Sequence, residues 1–205
     1  MTALLLVDIQ IDFLPSGALA VKDSDQIIPV VNRLMDQSFD FIIASQDWHP
    51  KNHSSFALTH LKQPGDLILW HGLEQILWPV HCVQQTSGAE LSPSLNSIKI
   101  NKIFYKGTDQ NIDSYSAFYD NEHRKSTGLV EFLKEKEVHD IYITGLATDY
   151  CVKYTVIDAL KLGFNVFVIE DGCKGVNLHP NDTKDALYDM QEAGAKIIFS
   201  CNLKF

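Results

Sequence analysis

Cys151 stands in Gly145–Leu146–Ala147–Thr148–Asp149–Tyr150–Cys151–Val152, between the apolar run Ile141–Tyr142–Ile143 and the helically spaced segment from Tyr154 to Leu160. That order reads as strand, tight turn, helix. The cysteine then falls in the first helical turn, where unpaired backbone N–H groups and the helix dipole favour a thiolate. A thiolate beside inward-pointing amides is a nucleophile with an oxyanion site attached, which points to acyl transfer.

Two more reactive types follow apolar runs. Asp8 ends Leu4–Leu5–Leu6–Val7, and Lys106 follows the run from Ile98 to Tyr105. Open parallel sheets place ligand sites beyond the carboxyl ends of their strands. Asp8, Lys106 and Cys151 at three such ends form a working set. The carboxylate takes the thiol proton, the ammonium stabilises the resulting charge, and the sulfur attacks.

Asp47 and His49 are two residues apart, just after another apolar run. On an extended backbone they point the same way. His53 follows four residues later, and His81 lies in Trp78–Pro79–Val80–His81–Cys82. An aspartate with two or three histidines suits Zn²⁺, Mn²⁺ or Fe²⁺, with His53 the least secure of the set. His60, His71, His123, His139 and His179 have no comparable setting. Phe13, Trp78, Tyr115 and Tyr150 stand near these points, and a planar heteroaromatic substrate would explain several of them at once.

The elements that must position these residues alternate. Strands are predicted over Ala3–Val7, Phe39–Ala44, Ile98–Tyr105, Ile141–Ile143, Phe164–Ile169 and Ala195–Ser200. Helices are predicted over Ile27–Met35, after Cys151, and over Gly128–Lys136 and Thr183–Ala193. Strands that are apolar throughout are expected where both sheet faces are covered. The expected fold class is therefore α/β, a three-layer α/β/α sandwich with a mainly parallel sheet of approximately six strands. Strand order stays open, because the crossover rule alone does not fix it. Residues 46–98 are too long for an ordinary connection and rich in His, Trp, Pro and Gly, so they read as a functional insertion.

With 205 residues, 45% of them hydrophobic, the chain suits a single domain over 1–205. A net charge of -9 with no long basic patch argues against nucleic acid. Apolar runs are strand-sized and Asp8 interrupts the first, so neither a membrane span nor a signal peptide is expected. The patterns GxGxxG and GxxxxGK[ST] are absent, so no nucleotide cofactor is expected. Cys82, Cys151, Cys173 and Cys201 are widely spaced with no CxxC pair, which suggests reduced thiols and a cytoplasmic location.

Six segments in order carry a resemblance over nearly the whole chain. They are Leu5–Leu6–Val7–Asp8–Ile9–Gln10–Ile11–Asp12–Phe13, Ala44–Ser45–Gln46–Asp47–Trp48–His49–Pro50, Trp78–Pro79–Val80–His81–Cys82–Val83, Phe104–Tyr105–Lys106–Gly107, Asp113–Ser114–Tyr115–Ser116–Ala117–Phe118, and the stretch from Gly145 to Val152. With these the chain resembles the pyrazinamidase/nicotinamidase family of isochorismatase-like cysteine hydrolases. The resemblance implies that fold and a metal-dependent amidohydrolase. It would convert nicotinamide to nicotinate and ammonia through a Cys151 thioester, would also hydrolyse pyrazinamide, and would serve NAD salvage.

It further implies a triad of Asp8, Lys106 and Cys151, with Asp47, His49 and His81 holding one divalent ion, Zn²⁺ before Fe²⁺ or Mn²⁺. His53 would bind that ion directly or orient a water on it. A cis Leu146–Ala147 bond is implied, with the Ala147 and Cys151 amides as the oxyanion hole. The substrate ring would lie among Phe13, Trp78 and Tyr115 with its nitrogen facing the metal. Tyr150, where some relatives carry histidine, bears on preference among analogues. Two other readings stay open at this point. One is a related cysteine amidohydrolase for an N-carbamoyl or ureido compound, and the other is a non-catalytic metal-binding scaffold. Whether the chain is a monomer or a homo-oligomer is also open.

Overall fold

Successive apolar residues of the first strand serve two cores. Ala3, Leu5 and Val7 join the core on one face of a sheet, while Leu4 and Leu6 join the core on the other. A strand buried on both faces needs cover on both. The computed structural model provides it, and describes residues 1–203, so the last two residues of the expected 1–205 domain lie outside it. In chain order the elements are β1 (Thr2–Val7), α1 (Ile27–Leu34), β2 (Phe41–Asp47), β3 (Leu67–Trp70), β4 (Leu73–Ile76), β5 (Lys102–Lys106), α2 (Leu129–Glu135), β6 (Asp140–Leu146), α3 (Lys153–Lys161), β7 (Asn165–Lys174), α4 (Asp182–Glu192) and β8 (Lys196–Ile198).

The main sheet has six strands in the order β5-β2-β1-β6-β7-β8, and all its pairings are parallel. α1 covers one face with Ile27, Ile28, Val31 and Leu34. α2, α3 and α4 cover the other, through Leu129, Leu133, Val156, Ala159 and Met190. The chain builds outward from β1 to β2 and β5, then returns to lay β6 on the opposite side of β1. That reversal opens a crevice above the carboxyl ends of β1 and β6, the usual ligand position in such sheets.

The expected strands are present, with shifted ends. β2 runs on to Asp47 and β5 ends on Lys106, so both reactive side chains belong to the last strand residues rather than to the loops after them. β5 starts only at Lys102, because Ser97–Lys99 forms a short 3₁₀ turn. β7 continues past Ile169 and, after a register shift, pairs Cys173 and Lys174 with Gly145 and Leu146. Residues 46–98 hold a separate antiparallel hairpin, β3–β4, that the sequence reading did not foresee. Its four-residue strands alternate too briefly to stand out. Among the described residues no helix is long and apolar enough to cross a membrane.

Candidate active site

β1 ends at Val7, and the next residue, Asp8, turns into the left-handed region at φ 49°. A non-glycine residue there is uncommon and often marks a site. Its carboxylate is fully buried and accepts the Ser45 hydroxyl at 2.7 Å. On the adjacent strand Gly145 has φ 129°, and a Cβ there would meet the Val7 carbonyl oxygen at 2.1 Å. Glycine thus lets β6 approach β1 where the crevice opens.

Lys106 is 1% exposed and points its ammonium at four partners. Nζ lies 2.6 Å from Asp47 Oδ1, 2.9 Å from Asp8 Oδ2, 2.8 Å from the Ser114 carbonyl and 3.3 Å from Cys151 Sγ. Oxygens of Asp8 and Asp47 and the Cys151 sulfur all lie within 4.8 Å of one another. Asp8, Lys106 and Cys151, from three strand ends, therefore converge. Removing one partner from such a buried cluster leaves an uncompensated charge and costs about 3–5 kcal/mol.

Burial works against the Lys106 charge, but Asp47 and Asp8 outweigh it and hold the ammonium well above its ordinary pKa. Burial also raises Asp8, with Lys106 pulling down and Asp47 pushing up. For Asp47 burial is again upward, yet Lys106 and His49 overcome it and keep that carboxyl well below its usual range. Burial pushes the Cys151 thiol well above its ordinary value. Lys106 opposes this, while the charges of Asp8 and Asp47 and a hydrogen bond with Asp8 reinforce it.

The helix end favours a thiolate at Cys151, whereas burial and two nearby carboxylates push its thiol pKa up. Cys151 sits in a π-helical turn, Thr148–Val152, that leads into α3. The Leu146–Ala147 bond is cis. Ala147 and Cys151 line one narrow cleft together with Phe13, Trp78, Tyr115 and Tyr150. Trp78 and Tyr150 meet edge to face with centroids 4.8 Å apart, and Tyr115 lies 5.5 Å from Tyr150. A larger surface cleft, of about 410 Å³ beside Leu73 and Asp158, contains none of the triad.

Asp47 Oδ2 faces two histidines, with His49 Nε2 at 3.6 Å and His81 Nε2 at 3.8 Å. The opposite nitrogens are committed: His49 Nδ1 lies 3.0 Å from the Gly107 carbonyl, and His81 Nδ1 lies 2.8 Å from that of Pro79. A carbonyl only accepts, so each Nδ1 carries a proton and each Nε2 faces Asp47, the arrangement typical of ligating histidines. Gly107 is required here, since its φ is 61° and a Cβ would meet the His49 ring at 2.4 Å. Burial lowers the His49 pKa, but Asp47 outweighs it and raises it. This donor set fits one divalent ion.

His53 does not join Asp47 and His81. Its ring lies on that of His49, centroids 4.2 Å apart, with nitrogens 2.7 Å from Ser55 Oγ and 3.3 Å from the Ile112 carbonyl. It groups instead with His49 and Asp113. Burial, then the His49 charge, takes its pKa down to about 4.

Several supporting residues went unassigned in the sequence. Gln10 Nε2 donates to the Asp47 carbonyl at 2.7 Å, and Gln10 Oε1 accepts the Asp47 N–H at 2.8 Å, so one buried amide fixes the Asp47 backbone from both sides. Ser45 serves Asp8, and the Ser114 carbonyl serves Lys106. Asp12 Oδ2 accepts the Cys82 N–H at 2.7 Å and so holds the residue after His81. Gln10 and Ser45 stand two residues from Asp8 and Asp47, a same-face spacing that could have found them. Nothing local marks Ser114. All four cysteines are free, and burial raises the Cys82 and Cys173 thiols as well.

The isochorismatase-domain profile matches residues 2–200. The chain is similar to a nicotinamidase of Escherichia coli K12, 50% identical over 198 residues that span 95% of this chain and 93% of the relative. It superposes on an Acinetobacter baumannii nicotinamidase/pyrazinamidase with a TM-score of 0.95 and 45% identity, covering 99% of this chain and 98% of the other. A Pyrococcus horikoshii pyrazinamidase in complex with zinc is similar at a TM-score of 0.79 and 38% identity, with 97% and 98% coverage.

Proposed function

The chain belongs to the isochorismatase-domain family, and from that membership we propose that it is an amidohydrolase converting nicotinamide to nicotinate and ammonia. The observation that carries the reading is the buried Lys106 ammonium, within 3.3 Å of the Cys151 sulfur and 2.9 Å of Asp8 at the floor of an aromatic cleft. The flat lining of that cleft suits a pyridine or pyrazine ring. A linear ureido compound would not use it.

Asp8 accepts the Cys151 proton as the amide enters, and Lys106 balances the charge left behind. Burial raises the Asp8 carboxyl, which makes it a stronger base than an ordinary aspartate. The thiolate attacks the carboxamide carbon, and the oxyanion is met by the Ala147 and Cys151 amides. Asp8 returns its proton to the nitrogen, the C–N bond breaks, and ammonia leaves a nicotinoyl thioester on Cys151. Water then gives a proton to Asp8 and its oxygen to the acyl carbon. Collapse expels the sulfur, which regains the proton from Asp8, and the product leaves as the acid, giving its carboxyl proton to solvent.

Asp47, His49 and His81 would hold a divalent ion, which when bound would supply a Lewis-acid partner for the ring nitrogen. An aspartate with two histidines suits Zn²⁺, and Fe²⁺ and Mn²⁺ accept the same donors. His53 supports the His49 ring from behind. Phe13, Trp78 and Tyr115 wall the ring, with Tyr150 at the side of the nucleophile. The reaction consumes free nicotinamide and so belongs to pyridine-nucleotide salvage. Measuring ammonia release from nicotinamide by the purified, metal-loaded protein tests this reading, and no turnover at any substrate concentration refutes it.

A further inference from the structure

Gln75 on β4 is only 5% exposed, although its hairpin stands outside the main sheet. Its Nε2 lies 2.7 Å from the Ile76 carbonyl and 3.2 Å from Asp113 Oδ2, with the Tyr115 hydroxyl at 3.4 Å. A carbonyl and a carboxylate only accept, so this end of the amide must be the NH₂ group. Asp113 and Tyr115 both line the cleft that holds Cys151.

The contact continues inward. Asp113 Oδ1 accepts the Ser114 N–H at 2.8 Å, and the Ser114 carbonyl accepts Lys106 Nζ at 2.8 Å. Trp70 Nε1 ties the hairpin to the same segment a second time, at the Asn111 carbonyl, 2.9 Å away. Trp78 Nε1 meets the Tyr115 hydroxyl at 3.3 Å. The hairpin thus braces residues 111–115 from outside, and those residues supply one wall of the ring slot.

We propose that Gln75 is a positioning residue for substrate binding, which acts through Asp113 and Tyr115 to set the wall against which the aromatic ring rests. The inference depends on the cleft being the nicotinamide site. Gln75 makes no hydrogen bond to Asp8, Lys106 or Cys151, so it moves binding more than chemistry.

Gln75→Met keeps the length of the side chain and removes both donors. The KM for nicotinamide should rise about tenfold, the worth of a buried hydrogen bond to a carboxylate, while kcat stays within about threefold. Calorimetric binding of nicotinamide to the Cys151→Ala protein should weaken by about the same factor when Gln75→Met is added. A KM within about twofold of the parent overturns the inference, and so does a kcat that falls as far as KM rises. Should the methionine variant not fold, Gln75→Glu keeps the shape and sets a carboxylate against Asp113. It should raise KM at least as much, and an unchanged KM overturns the inference equally. If Cys151→Ala with Gln75 intact binds no nicotinamide, the functional reading falls and the inference with it. If it binds equally with and without Gln75, the inference alone fails.

Discussion

Asp8 and Asp47 follow and end neighbouring parallel strands and share one ammonium, at 2.9 and 2.6 Å from Lys106 Nζ, yet their pKa values move in opposite directions. The difference lies in what else each one meets. Asp47 gains His49 and His81 on its far oxygen, whereas Asp8 gains a serine hydroxyl and a thiol. One carboxylate is thereby fixed as an anion and the other is left able to carry a proton.

The two aspartates should therefore fail differently. Asp8→Asn should bind metal as the parent does but lose turnover by about 10³-fold or more, because an amide neither accepts nor returns the proton. Asp47→Asn should lose metal affinity first. Metal content by elemental analysis beside ammonia release separates the two, and equal metal loss in both would refute the assignment. Cys151→Ala should release no ammonia, and quenched turnover of the parent should show the nicotinoyl adduct on the Cys151 peptide by mass spectrometry.

Thiol reactivity should rank by burial and charge. Cys201 is the exposed cysteine, while Cys82, Cys151 and Cys173 are buried with raised pKa values. Iodoacetamide at neutral pH should label Cys201 first, with Cys151 lagging in the absence of substrate. Peptide mapping over time reads the order. Fast labelling of Cys151 in the resting protein would mean that a thiolate is already present.

Metal affinity should depend on pH through His49. Asp47 raises its pKa above the usual 6.5, so in the metal-free protein the His49 proton stabilises the fold fully below that value, and the stabilisation fades as pH rises through the folded pKa. An incoming ion must displace that proton, so affinity should climb as pH rises, by at most about tenfold per unit for one proton. Zn²⁺ titrations in buffers of different ionisation enthalpy read the proton released. A pH-independent affinity would contradict it.

Among amides, pyrazinamide keeps the ring nitrogen and should be hydrolysed. Benzamide lacks it and should lose about 10²-fold or more in kcat/KM, as analogues that leave a polar partner unmatched do. Comparable kcat/KM for benzamide and nicotinamide would show that the ring nitrogen is not read.

Much of this site was legible because its reactive groups sit at strand ends, where apolar runs stop at Asp8, Asp47 and Lys106. The protonation state of Cys151 was not, since it depends on burial and on two carboxylates brought from other strands. Strand order was equally hidden, as several right-handed windings satisfy the same alternation. Gln75 and Asp113 lie 38 positions apart, and neither residue's local pattern announces the contact.

The reacting groups arise from β1, β5 and the turn after β6, whereas the ring slot draws Trp78 from the 46–98 insertion and Tyr115 from a segment that the β3–β4 hairpin braces. The sheet and the hairpin are thus separable workpieces for protein engineering. Substrate range can be redesigned by exchanging hairpin side chains such as Gln75, while the Ser114 carbonyl and the frame that ionises the sulfur and holds the acyl group are left as they stand.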